Sequence, residues 1–237
     1  MARPVAALAL ALPLLACPTV GDGEEAAQAR TIADPIRALE VFDGLEVSVT
    51  IDPSAAEGAT LDLRGDANLL DLVVSELHSD DVLSLGMWAT VETELTLPMR
   101  VEVVTPALER LFVGGVAGLI AHALSGDLLE LRARDQSALK ASLTAAAVDV
   151  DVDHKAAVTL LGEAATLEVR AAGSASVDAA ELTVVDATID HASAGELRLC
   201  ATGALRGALR GDGALVLLCA PSELDVEVTG EGVITGP

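Results

Sequence analysis

Apolar residues recur at every second position through most of this chain. Leu45-Glu46-Val47-Ser48-Val49-Thr50-Ile51-Asp52 shows the pattern, and so do Thr60-Leu61-Asp62-Leu63, Val82-Leu83-Ser84-Leu85, Val91 to Leu97 and Arg100-Val101-Glu102-Val103. A period of two puts one apolar row on the inner face of a pleated strand and one polar row outside, so these segments predict strands. Asp66-Ala67-Asn68-Leu69-Leu70-Asp71-Leu72 breaks the alternation. With Asp66 as a cap, it predicts one or two helical turns between Asp66 and Leu72, the only helix expected in the chain.

Beyond Pro106 the strands repeat. Equivalent strand starts at Leu108, Leu129, Val148, Leu167, Val185, Leu205 and Leu224 are 21, 19, 19, 18, 20 and 19 residues apart. Leu129-Glu130-Leu131-Arg132, Val148-Asp149-Val150-Asp151, Leu167-Glu168-Val169-Arg170 and Leu224-Asp225-Val226-Glu227 all alternate apolar with charged residues. A unit this small cannot bury its own apolar face, and stacking units in register solves the problem. The expected fold is therefore all-β, a parallel β-helix or solenoid with coils of about 19 residues. A β-sandwich of hairpins has similar turn spacing, but the Asn-Gly and Asp-Gly pairs that favour tight hairpins are confined to Asp22-Gly23, Asp43-Gly44 and Asp212-Gly213.

Composition narrows the core. Hydrophobic residues make up 51% of the 237, yet the only aromatics are Phe42, Phe112 and Trp88, so the interior has to be built from Leu, Val and Ala. Small aliphatic side chains suit a thin stacked interior. The 37 acidic against 14 basic residues give a net charge of −23, which excludes phosphate backbones as partners. That charge also keeps an apolar, edge-rich β-protein in solution.

The first residues carry an address. Arg3 precedes an apolar run from Val5 to Leu15, long enough for a signal-peptide core and too short to span a bilayer. Leu14-Leu15-Ala16-Cys17 resembles the lipobox of bacterial lipoproteins. The resemblance implies a signal peptide over residues 1–16, cleavage before Cys17 and lipidation of its sulfur, and Pro18 in the next position implies sorting to the outer membrane. The alternative is ordinary cleavage of a periplasmic or secreted protein, with Cys17 left as an odd third thiol. Residues 17–35 hold Gly21, Gly23 and a run of Ala and Gln without alternation, which reads as a flexible tether.

Val41-Phe42-Asp43-Gly44-Leu45-Glu46-Val47, then Gly65-Asp66-Ala67-Asn68-Leu69-Leu70, and finally Gly230-Glu231-Gly232-Val233-Ile234-Thr235-Gly236-Pro237 together resemble the auto-transporter adhesin head GIN domain, a bacterial family of unknown function. The resemblance covers residues 36–237 and implies an exported β-helical domain. It brings no site residues. The chain departs from the family's pattern at Ala133-Arg134-Asp135-Gln136 and Asp153-His154-Lys155-Ala156, where glycine-serine turns are usual, and at Ile234, where an aromatic is usual.

Candidate chemistry is sparse. Asp149, Asp151 and Asp153 share one face of a strand, with Asp186 and Asp190 expected in equivalent places two units later. Such carboxylates can ligate Ca²⁺, although alternation produces a solvated acidic face by itself. The Asp153-His154 and Asp190-His191 pairs read as repeat-equivalent turns, and the histidines lack metal-ligand spacing. Gly207 to Gly213 reads as a turn, without the lysine of a phosphate loop. Arg198, Arg206 and Arg210 form the one basic cluster and are expected to offset neighbouring acids. Cys200 and Cys219 lie one period apart, a separation that fits either a disulfide across adjacent coils or two buried reduced thiols. No catalytic residue and no cofactor are expected. The leading expectation is a non-enzymatic, lipid-anchored envelope protein with an adhesion or scaffold head. The alternative is a polysaccharide- or Ca²⁺-dependent ligand-binding module, or less favourably a β-helical carbohydrate enzyme using Asp149, Asp151 and Asp153. The partner expected is a surface protein or glycan, besides the membrane through the lipid anchor.

Overall fold

The computed structural model describes residues 18–88 and 93–237, and its body is a stack of parallel coils, a β-solenoid of about seven turns. The signal-peptide segment, Cys17 and Val91-Glu92 of one expected strand lie outside the described residues. Each coil pairs in parallel with the next. Leu111, Leu131, Val150, Val169, Ile189, Gly207 and Val226 are successive partners, 18 to 20 residues apart. This parallel register at one coil's separation is what a sandwich of hairpins cannot produce.

Four strands are 15 to 18 residues long: Gly118–Ala133, Ala138–Val152, Ala157–Gly173 and Ser176–Ser193. They are long because the chain bends without leaving the ladder. In Gly118–Ala133 the buried residues are Leu119 and Ala121, then Leu124, then Leu129, Leu131 and Ala133, so the inward parity switches twice. Each switch marks a corner, and each full coil has three short sides. Inward residues stack into columns such as Leu129, Val148, Leu167, Ala187 and Leu205. Among the described residues, the apolar core is aliphatic apart from Met87 and Met99, with no Phe or Trp ring buried in it.

The columns correct four expectations. Val185 is 51% exposed, and the partner of Leu167 is Ala187, so the fifth strand start is displaced by two residues at a bend. His191 is not in a turn. It lies in Ser176–Ser193 with Ala171 and Leu209 as neighbours in its column, fully buried. Asp190 does follow Asp151 and Arg170, two units later as expected, but Asp186 succeeds Ala147 and Thr166 and so has no equivalent among the three aspartates. Gly207 likewise belongs to a strand, Ala204–Leu209, and only the glycines after it form the turn.

The N-terminal end is closed by the chain itself. Ala59–Asp66 runs antiparallel to Arg100–Thr105 of the first coils, and Glu25–Ile32 runs antiparallel to Ala59–Asp66. The reading of residues 17–35 as a flexible tether is thus overturned for Glu25–Ile32. The alternation there was concealed because the inward positions are Ala26, Gln28, Arg30 and Ile32, two of them polar. Arg30 accounts for this: its guanidinium donates to the carbonyls of Val73 (2.6 Å) and Leu70 (3.0 Å) and to Gln28 Oε1 (2.6 Å). It satisfies backbone groups that the closing turn leaves free. The expected helix shrinks to one 3₁₀ turn, Leu70–Leu72. Asp66 ends a strand instead of capping a helix.

At the other end the last coil has no lid among the described residues. Leu224 and Val228 continue the columns of the buried Leu205 and Leu209, yet they are 51% and 45% exposed. Cys200 and Cys219 are joined in a disulfide with Cα atoms 4.8 Å apart, tying together the two coils that precede the last one.

Two outcomes follow for stability. Gly207 has φ +132°, and a Cβ there would run into the Ile189 carbonyl of the previous coil. Gly207→Val is expected to destabilise the solenoid by about 2–4 kcal/mol in urea melts, through clash and backbone strain. The 19-residue separation of the disulfide constrains the unfolded chain by about 3 kcal/mol. Cys200→Ser with Cys219→Ser should lower stability by that order, and alkylation counted by mass should find neither thiol free in the wild type.

Candidate functional surface

The outward positions of the coils are as regular as the inward ones. On the side formed by Leu129–Ala133 and its successors, Arg132, Asp151, Arg170 and Asp190 follow one another in register, alternating in sign. The neighbouring column runs Glu130, Asp149, Glu168, Thr188, Arg206 and Asp225. Arg170 bridges Asp149 and Glu168 at 2.7 Å each. The pull of Asp149 above all raises the pKa of its guanidinium. Arg206 reaches Glu223 at 2.6 Å, Arg210 reaches Asp190 at 3.2 Å, and Arg198 reaches Asp178 at 3.2 Å. The basic cluster therefore spreads along the stack, each arginine facing an acid of an adjacent coil.

Asp149, Asp151 and Asp153 do not form a cation site. Three carboxylates at alternate positions of a strand span about 13 Å, whereas the oxygens around one Ca²⁺ lie within about 5 Å of each other. Asp149 takes Arg170, Asp151 faces Arg134 at 3.9 Å, and Asp153 accepts the backbone N–H of His154 at 2.6 Å. No group of three or more His, Cys, Asp or Glu side chains converges among the described residues. Nor, among them, is any histidine hydrogen-bonded to a Ser, Thr or Cys side chain.

Two buried polar residues escaped the sequence reading. Asp66 accepts backbone N–H groups from Gly23 (2.9 Å), Thr96 (2.9 Å) and Leu97 (3.0 Å), pinning three segments together. Desolvation opposes its charge, but these three donors outweigh it and hold its pKa below the usual carboxylate value of 3.8. His191 Nε2 lies 3.1 Å from the Gly195 carbonyl, while its Nδ1 has no partner. Desolvation lowers its pKa below 6.5, only partly offset by the Gly195 bond. Either residue looks like an ordinary turn or cap in a sequence, because its role depends on distant partners.

A second feature that sequence reasoning missed lies beside the N-terminal closure. Trp88 and Phe42 line one groove of about 380 Å³ with Val74, Glu76, Ser84 and Gly86. Phe112 packs on Phe42, ring centroids 5.3 Å apart. All three aromatics of the chain thus lie outside the core, around one part of the surface.

The sequence profile described as "Putative auto-transporter adhesin, head GIN domain" matches residues 36–221. The chain belongs to this family. Among solved structures, a putative adhesin from Bacteroides fragilis superposes with a TM-score of 0.83 at 17% identity, covering 91% of this chain and 98% of the other. A putative lipid binding protein from Parabacteroides distasonis gives 0.67 at 14% identity, over 92% and 99%. A putative adhesin from Parabacteroides merdae gives 0.63 at 19%, over 91% and 97%. At these identities the likeness shows a common fold. No curated protein matches the chain significantly.

The buried histidine yields a pH dependence. Its neutral form is favoured in the folded state, so the unfolded chain binds more protons below pH 6.5 and stability falls as pH drops through that value. The midpoint of thermal unfolding should fall between pH 7 and pH 5, and His191→Leu should flatten that slope. The contribution of Asp66 is present above about pH 4 and is lost only in stronger acid, which separates the two.

Proposed function

We propose that this member of the family is a non-enzymatic envelope lipoprotein, its solenoid a rigid head for adhesion or scaffolding. The observation that carries the reading is the in-register outer surface: arginines pair with acids of adjacent coils along the stack, so the sides present fixed charge patterns. Recognition by a rigid surface costs little ordering on binding. The family's description as adhesin heads and the same description of two structural relatives support it.

The anchor rests on Leu14-Leu15-Ala16-Cys17. Lipidation of Cys17 would tether the head to the outer membrane, since one acyl-glycerol group carries two chains and holds where a single chain does not. A bare solenoid with a net charge of −23 would otherwise be repelled by anionic lipid.

The test pairs anchor with attachment. Cells producing the wild-type chain should incorporate an alkyne fatty acid into it, retain it in the envelope fraction and attach to a host-cell monolayer more than cells producing Cys17→Ala. Equal attachment by wild type, Cys17→Ala and a strain without the chain would contradict an adhesive head.

A further inference from the structure

The geometry points to the groove between Trp88 and Phe42 as a binding site for a neutral carbohydrate. This inference deepens the adhesion reading and rests on it for its biological meaning, but the site is argued from its own residues.

The groove exists because of where side chains are missing. In the outer register, Val74 pairs with Gly86, and the N–H of Phe42 bonds to the carbonyl of Leu85, which sets Phe42 on the other flank of Gly86. Gly86 therefore floors the groove with bare backbone, between Val74 and Phe42. A Cβ at Gly86 would lie 3.7 Å from the Phe42 Cβ and 3.2 Å from an Asp43 carboxylate oxygen. Gly114 keeps the far flank of Phe42 free in the same way: a Cβ there would come within 3.1 Å of the Phe112 ring and 3.3 Å of the Phe42 ring. One end of the groove is walled by Trp88, 53% exposed, held at its base by its N–H to the Leu72 carbonyl. The next pair in the register, Glu76 with Ser84, supplies the polar end, and Ser84 Oγ donates to a Glu40 oxygen at 2.9 Å.

The core explains why these rings are informative. A chain that excludes Phe and Trp from every described core column still keeps three such rings, and puts them outside the core. Aromatic faces are large and rigid, and bury apolar C–H surfaces at low entropic cost. A ring-shaped ligand with apolar faces and a hydroxyl edge fits such walls, with Glu40, Glu76 and Ser84 as partners for the hydroxyls. The groove's size falls in the range of small-ligand sites. The carboxylates around it, Glu40, Asp43 and Glu76, and the acidic surface of the chain select against uronic or sialic glycans.

Trp88 is the only tryptophan, so its emission reads the site directly. The purified full chain is titrated with cellotetraose, chitotetraose and mannotetraose, with a tetragalacturonate as the acidic counterpart. The expected result is a saturable change in emission with at least one neutral sugar at millimolar or lower concentration and at least about tenfold weaker response to the acidic one. Phe42→Ala should abolish the response, and Glu76→Gln, whose side chain is exposed, should weaken it about tenfold without altering the thermal midpoint. No saturable change with any neutral sugar up to about 10 mM, an unchanged response in Glu76→Gln, or a response to tetramethylammonium alone would overturn the site. Such a failure would leave envelope attachment, measured on cells, as a separate question.

Discussion

From Arg110 onward each coil of this protein is held by the coil before it, through a parallel ladder whose partners lie 17 to 20 residues apart. Every other property follows from that register. The ladder satisfies the backbone, and it also places each inward side chain directly on its counterpart. The interior thereby becomes a set of columns one side chain wide. Leu, Val, Ile and Ala fit this spacing, whereas a large ring would collide with the residues above and below or force the coils apart. Glycine enters the columns where a neighbour's carbonyl comes too close, as Gly207 does under Ile189. The same register carries outward, where it turns a large acidic excess into paired ladders centred on Arg170, Arg206 and Arg210.

Much of this was legible in the sequence, because period-two alternation and a period of about 19 residues are local signals. The two together gave the fold, its handover from coil to coil and the separation of Cys200 from Cys219. The failures occur where local signals and partners part company. Val185 has the look of a strand start, but a bend shifts the column to Ala187. His191 resembles His154 in having an aspartate before it, yet one is a core residue and the other an exposed turn residue with φ +62°. Glu25–Ile32 lacked apolar alternation because Arg30 points inward to satisfy carbonyls that only the folded closure brings near, with Gln28 beside it accepting from its guanidinium.

The two ends also differ in kind. At the N-terminal end antiparallel strands cover the first coils, and Asp66 and Arg30 supply hydrogen bonds that no further coil provides. At the C-terminal end Leu224 and Val228 stand half exposed, and a disulfide holds the penultimate coil, through Cys219, to the coil before it. The aromatic groove adjoins the closed end, where the irregular register leaves room for it. Its residues were individually visible in the sequence. Their meeting was not, because Trp88 and Val74 face each other across one hairpin while Phe42 joins them through a parallel pairing with a strand far away in the chain.

The claim that coils stack in this register is tested most directly by engineered cross-links, with Cys17 replaced by serine. Thr144 and Glu163 are partners on adjacent coils and both exposed, whereas Thr166 is the partner of Ala147. In-register residues on adjacent strands lie about 4.8 Å apart, within reach of a disulfide. Thr144→Cys with Glu163→Cys should oxidise spontaneously to an intramolecular disulfide, and Thr144→Cys with Thr166→Cys should remain reduced. Efficient bonding of the second pair and not the first would contradict the stack.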